Sequence, residues 1–197
     1  MFRTHVPAPP LSRFVAKFWL CEGYAPAHTK ERVLPDGSIQ LVINLRADLT
    51  RVYDRKNPND GHIYRGSVIS GAHSEFVVID TAEQASVIGV HFKPGGAFPF
   101  LRLPANELHN MHVPLDALWG IAGTHLRDRL LEARAPETKF RILKETLLAQ
   151  KADSLIGHPA LDYALQEFQE MPQLQTIADV TRRIGLSKGR FIQLFDE

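Results

Sequence analysis

The hydrophobic pattern of this chain changes period once, at Lys93-Pro94-Gly95-Gly96, and that change limits the folds open to it. Before it, short runs rich in β-branched and aromatic residues alternate with turn residues. Phe14 to Glu22, Ser38 to Leu45, Arg51 to Tyr53, Ser67 to Ser70, Glu75 to Ile79 and Ala85 to Phe92 read as strands. Leu34-Pro35-Asp36-Gly37 presets a tight turn before the second, and Asn57-Pro58-Asn59-Asp60-Gly61 reads as an exposed loop. Strands spaced in this way suit a small barrel or sandwich. After the glycine pair the apolar spacing becomes helical. A helix over Thr124 to Ala133 presents Leu126 and Leu130 on one face, and Pro136 opens another that aligns Phe140, Leu143 and Leu147. Pro159 opens a third, with Leu161, Leu165 and Phe168 at helical spacing. Breaks at Gly157-His158-Pro159 and Met171-Pro172 flank it, which suits a connector between domains.

At 197 residues the chain is long enough for one large domain and part of another. The 23 basic and 22 acidic residues leave a net charge of +1, which excludes a polybasic strategy of binding by bulk charge. Cys21 is the only cysteine, so an intramolecular disulfide and a Cys-cluster zinc site are excluded. The opening MFRTHVPAPPLSRF lacks the apolar core of a signal peptide, and no run approaches about 18 uncharged apolar residues. A cytoplasmic protein with no membrane partner is expected.

The last 24 residues, Leu174 to Glu197, carry the densest local signals. Thr176 with Asp179 three residues on is a capping-box pattern, and the helix it opens runs to Ile184. Gly185 frees the backbone for a sharp turn, and Leu186 is placed to plug the space between two helices. Ser187 is a good N-cap for a second helix that turns Phe191, Leu194 and Phe195 inward. Helix, glycine-containing turn and helix together form the helix-turn-helix pattern, whose second helix enters the DNA major groove. Residues 181–190 hold Arg182, Arg183, Lys188 and Arg190 and no acidic residue, so overall neutrality hides a local positive patch suited to phosphates. A solvated face of an ordinary helical domain is the alternative for such a cluster.

The string IADVTRRIGLSKGRFIQLFDE resembles the first helix-turn-helix of the AraC/XylS family of bacterial transcription regulators, with Ala178, Gly185, Ser187, Phe191 and Phe195 at the family's marked places. Leu34 to Gly37 (LPDG), Gly89 to Gly96 (GVxFxPGG), Pro114 to Gly120 (PLxxLWG) and Pro9 to Val15 (PPLSxFV) are similar to marks of a sensor domain found ahead of such reading heads. The resemblance implies an α+β chain: a cupin-like β-barrel or sandwich with packed helices over 1–155, a connector helix over 156–172, and a first helix-turn-helix over 173–197. The family's second helix-turn-helix and the helix linking it to the first are absent, which implies a reading head cut short and DNA binding incompetent in this fragment. It further implies a one-component regulator that is not an enzyme, has no cofactor, binds double-stranded DNA as the full-length protein and forms a homodimer, its first domain sensing a small-molecule effector, serving as the dimer surface, or both; a dimerisation module with no effector is a further alternative. Carried over from the family pattern, Gly189, Ile192 and Gln193 would face base edges, while Lys188 and Arg190, with Arg182 nearby, would contact phosphates. Gln193 could pair bidentately with an adenine.

Other chemistries fit less well. Gly185-Leu186-Ser187-Lys188-Gly189 matches the nucleophile elbow of hydrolases, but a capped helix stands where the elbow needs a strand. Among nine histidines, His73 with Glu75 and His109 with His112 come nearest to a cupin metal set. Neither has the H-x-H spacing, and His109 and His112 fall in a Pro104 to Pro114 connector, so no metal is expected. A stand-alone small-molecule-binding or metal-dependent barrel enzyme is the rival reading. The glycine pair at 95–96 lacks the Lys-Ser/Thr of a phosphate loop and is better used to shape the strand-to-helix turn. For an effector pocket, Trp19 offers a stacking surface, as does Trp119, and Asn44 and His91 interrupt otherwise apolar strands.

Overall fold

Alternating apolar residues can bury one face of a strand, and ten strands among the described residues form two antiparallel sheets. The computed structural model describes residues 1–57, 59–151, 159–170 and 176–196. The strands are β1 (Phe2–His5), β2 (Val15–Glu22), β3 (Lys30–Val33), β4 (Gln40–Asn44), β5 (Leu49–Tyr53), β6 (Gly61–Arg65), β7 (Ser67–Ser70), β8 (Val77–Asp80), β9 (Ser86–Phe92) and β10 (His112–Pro114). The larger sheet runs β1-β2-β9-β4-β7-β10 and the smaller β3-β8-β5-β6. Helices follow: α1 (Phe98–Leu101), α2 (Leu115–Trp119), α3 (Ile121–Glu132) and α4 (Pro136–Gln150), then α5 (Pro159–Glu170), α6 (Ile177–Ile184) and α7 (Lys188–Asp196). The chain is α+β, a two-sheet antiparallel sandwich followed by helices, as its change of period predicts.

Two compact units are present, Met1–Lys151 and Ala152–Glu197. In the first, the tight hydrophobic core lies on the outer face of the larger sheet rather than between the sheets. The register aligns Phe18, Val90, Leu41 and Ile69 in one row across four strands, and Leu20, Ile88 and Ile43 in the next. All seven are fully buried. Phe18 stacks with Phe140 of α4 at 6.4 Å, and Leu126, Leu130, Leu143 and Leu147 of α3 and α4 are buried with it. Burying side chains of this size contributes about 1.5–3 kcal/mol each. Lys139 of α4 is buried too, and its ammonium serves the end of α3. Its Nζ donates to the carbonyls of Leu130, at 2.7 Å, and Ala133, groups a helix C-terminus otherwise leaves unpaired.

The glycine pair shapes the turn after β9. Gly95 takes a positive φ, and a Cβ on Gly96 would stand 2.1 Å from the Phe14 carbonyl oxygen.

Several elements differ from the sequence expectation. β1, β3 and β6 lie where no strand was expected, and each carries mostly exposed or half-buried residues. The Pro104 to Pro114 stretch is not wholly a connector, because residues 112–114 add an edge strand beside β7. Pro114 closes that strand at the sheet edge, where a missing N–H is tolerated. The breaks expected at Gly157-His158 and Met171-Pro172, the loop residue Pro58 and Leu174 lie outside the described residues, as does the inward role of the Phe195 side chain.

Candidate functional site

Two places combine exposed or cavity-lining polar groups with a defined geometry, one in each unit. The first is a cavity of about 150 Å³ between the sheets. Alternation along the strands turns a second set of rows from the larger sheet towards it. One row runs Trp19, Gly89, Val42 and Val68 across β2, β9, β4 and β7. The next runs Lys17, His91, Gln40, Ser70 and His112 across β2, β9, β4, β7 and β10. Val33, Val52, Val77 and Ile79 of the smaller sheet form a largely aliphatic opposite wall, and Leu34, Pro35 and Asp36 line the cavity from the loop after β3.

Trp19 owes its position to Gly89. A Cβ at Gly89 would lie 2.5 Å from both Cε2 and Cζ2 of the indole and 2.5 Å from the Leu41 carbonyl oxygen. Only glycine lets the ring lie across β9. The ring also stacks with Phe2 at 6.4 Å. Its Nε1 is buried, and no hydrogen-bond acceptor meets it among the described residues. Buried indole N–H groups ordinarily have a partner.

At the β7–β10 side, Ser70 Oγ lies 3.3 Å from His73 Nε2 and 3.4 Å from His112 Nε2. The two imidazoles stand 4.7 Å apart between ring centroids, and Tyr64 lies 5.5 Å from His112. Burial disfavours the imidazolium of His112, with His73 adding to the effect, and pushes its pKa down to about 4. Burial likewise lowers His73, helped by His109 and Arg55. His112 is neutral at pH 7, and burial biases His73 towards its neutral form. Asp36 stays ionised: burial opposes its charge, but hydrogen bonds from the Ser38 hydroxyl and backbone N–H, with His91 close by, bring its pKa below the ordinary value.

Of the residues expected in a pocket, Trp19 lines this cavity. Asn44 does not line it. Its side chain donates to the Leu49 carbonyl at 2.7 Å and accepts from the backbone of Arg46 and Ala47, closing the β4–β5 turn. His91 stands beside Asp36, with 3.9 Å between Nε2 and Oδ2, and also does not line the cavity. Burial lowers its pKa, against the pull of Asp36. Trp119 donates to the Phe100 carbonyl at 2.9 Å and packs away from the cavity. Sequence reasoning missed Gln40, Ser70 and His112 as a group. They lie far apart in the chain, and only antiparallel register brings them into one row. Among the described residues, no group of three His, Cys, Asp or Glu side chains could hold a metal ion.

The second place is the surface of α6 and α7. Thr176 accepts from the Asp179 N–H at 3.2 Å, and Asp179 Oδ2 accepts from the Thr176 N–H at 3.4 Å, so both halves of the capping box are made. Gly185 ends α6 at φ +70°, and the Leu186 N–H returns to the Thr181 carbonyl at 3.1 Å. Ser187 Oγ accepts from the Arg190 N–H at 3.2 Å and caps α7. Ala164 of α5, Val180 of α6 and Phe191 of α7 are buried together, with Phe168, Ile184 and Leu186 packed against them. The helix read as a connector therefore supplies part of the core of the second unit.

Phe191 and Leu194 point inward, while Lys188, Gly189, Arg190, Ile192 and Gln193 are exposed along α7. Arg182 is exposed and pairs with Asp179 at 3.2 Å. Arg183 pairs with Glu167 of α5 at 2.6 Å. The cations of α6 are thus partly engaged within the unit, and Lys188, Gly189 and Arg190 at the start of α7 are exposed.

Residues 3–114, more than half of the chain, match a domain of unknown function, DUF6597, and the protein belongs to that family. The match covers both sheets, and therefore the cavity. The crystal structure of the AraC-like transcriptional activator CuxR is similar at a TM-score of 0.40 and 14% identity, over 98% of this chain and 79% of that one. No curated protein matches the chain significantly. Among the described residues no helix is long and apolar enough to cross a membrane.

Proposed function

We propose that the protein is a one-component transcription regulator, in which a sensor over residues 1–155 is joined through 156–172 to a DNA-reading unit that begins at 173. The observation that carries this reading is the sidedness of α7. Its Phe191 is buried with residues of α5 and α6 and Leu194 is buried too, while its exposed Lys188, Gly189, Arg190, Ile192 and Gln193 form one outward surface with no acidic residue. A capped helix, a left-handed glycine and a second capped helix hold that surface rigidly, as insertion into a major groove requires. Lys188, Arg190 and Arg182 supply phosphate contacts, and Gln193 and Ile192 read base edges. Gly189 brings backbone close to the groove without a side chain of its own. The sensor responds to a small molecule, and the regulator acts as a homodimer on two half-sites.

The test is gel retardation of genomic DNA fragments by the natural gene product across a salt series. Retardation that weakens steeply with salt is expected, because phosphate contacts release counterions. Absent or salt-insensitive retardation overturns the reading. Selection from a random DNA pool then separates the roles within α7: Gln193→Ala changes the preferred site, whereas Arg190→Ala weakens all sequences alike. Identical preferred sites for Gln193→Ala and the parent would remove the base-reading role.

A further inference from the structure

We propose that the cavity between the sheets binds a small organic ammonium ion with a compact apolar body, its cationic end held at Asp36 in the loop after β3. This rests on the sensor reading above and names the class of molecule sensed.

Charge decides the class. Asp36 is the one carboxylate among the described residues that line the cavity, and neither Lys nor Arg is among them. The other polar side chains of the lining include hydroxyls, amides and two imidazoles. His112 is neutral at pH 7 and burial biases His73 the same way, so neither ring cancels the carboxylate. His91 does not cancel it either. Its Nε2 stands 3.9 Å from Asp36 Oδ2, beyond hydrogen-bond length, and burial lowers its pKa. Two cations of neighbouring segments stay outside the lining: Lys17, at the β2 end of the polar row, and Arg55, which pairs with Glu75. A cation entering the cavity thus finds a compensating charge. A carboxylate or phosphate finds none and is repelled by Asp36 as well.

The carboxylate is also held in place. Ser38 donates both its N–H, at 2.9 Å, and its hydroxyl, at 2.5 Å, to Asp36 Oδ1. Both bonds fall on one oxygen, which leaves Oδ2 to accept from an ammonium N–H. The Asp36 side chain is 53% exposed and Leu34 is 74% exposed. Their loop therefore forms the mouth of the cavity, where an ammonium group keeps part of its hydration.

The remaining walls suit an apolar body. Val52, Val77 and Ile79 of the smaller sheet stand opposite Val42, Val68 and the indole of Trp19 from the larger one. A cavity of about 150 Å³ is comparable to engineered apolar cavities of roughly 150 Å³ that accept benzene. The body is then a single ring or a branched aliphatic group of that size, and a nucleotide or a long acyl chain is too large.

The test is calorimetric titration of the whole chain with benzylamine, benzyl alcohol and benzoate, three probes of one size that are cationic, neutral and anionic at pH 7. Benzylamine is expected to bind about threefold more tightly than benzyl alcohol, the scale of an ion pair whose acid is half in solvent. Benzoate is expected to bind more weakly than both. The preference for benzylamine shrinks between about 0.01 and 1 M salt, because an exposed pair is screened. Asp36→Asn keeps an oxygen for Ser38 but removes the charge. It is expected to bring benzylamine down to the affinity of benzyl alcohol while leaving the alcohol where it was, which also reports an intact cavity. No binding of benzylamine, equal affinity for the three probes, a preference indifferent to salt, or one that survives Asp36→Asn overturns the proposal. No DNA enters these titrations and no amine enters the gel retardation, so either reading can fail without the other.

Discussion

His112 and Gly89 show how much one residue carries in this sandwich. His112 titrates near 6.5 in an unfolded chain and at about 4 in the folded one. Between those values the unfolded state binds the extra proton, so stability is fully present above pH 6.5 and falls as pH drops through the window. Below about 4 the effect is complete, and it amounts to about 3 kcal/mol at most. His73 and His91, both lowered by burial, act in the same direction. Urea midpoints measured from pH 7 to pH 4 are expected to fall, and to fall less steeply in His112→Gln. An equal slope in the variant would show that His112 does not contribute. Gly89→Ala is a second residue-scale test. The added methyl meets the Leu41 carbonyl and the Trp19 ring at 2.5 Å each, so a loss of about 1–3 kcal/mol in equilibrium unfolding is expected. Gly89→Ala in a Trp19→Phe background still meets the Leu41 backbone, so the loss is reduced there but not abolished.

Among the elements, α7 offers the sharpest test because its sequence contains a glycine with no structural need for it. A Cβ at Gly189 would meet nothing within 4 Å, and the residue does not take a positive φ. Gly189→Ala is therefore expected to stabilise the helix by roughly 0.5–1 kcal/mol, read as slower amide exchange across Lys188 to Gln193. If exchange is unchanged, the glycine is not limiting the helix. The same variant is expected to alter DNA affinity in gel retardation, since the proposed reading surface passes over that position. The elements also show which signals were legible in the sequence. Strands β2, β4, β7 and β9, central in the larger sheet, announced themselves through runs of Val, Ile, Leu and Phe. β1 and β6 did not, because edge strands with exposed side chains carry no apolar alternation. In β3, Lys30-Glu31-Arg32-Val33, the charged residues masked an edge strand in the same way.

For the whole molecule, the division after Lys151 has a direct consequence. The unit Met1–Lys151 contains both sheets and the buried residues of α3 and α4, all from within its own span. A chain ending at Lys151 is expected to unfold cooperatively in urea and to give the dispersed amide spectrum of a packed sandwich. A collapsed spectrum would mean that this core depends on residues beyond 151. The sequence by itself determined the order of the main parts: strands up to β9, helices after Gly96 apart from the short edge strand β10, and a capped helix pair at Thr176 to Gln193. Each of those rests on interactions a few residues apart, such as a cap, a turn or a periodic face, and local spacing is what a sequence displays. The tertiary structure alone decided which polar residues share a cavity. Trp19, Gln40, Ser70 and His112 line one cavity because five strands, β2, β9, β4, β7 and β10, pair in register, and a slip of a single residue would have turned each of them to the opposite face of its strand.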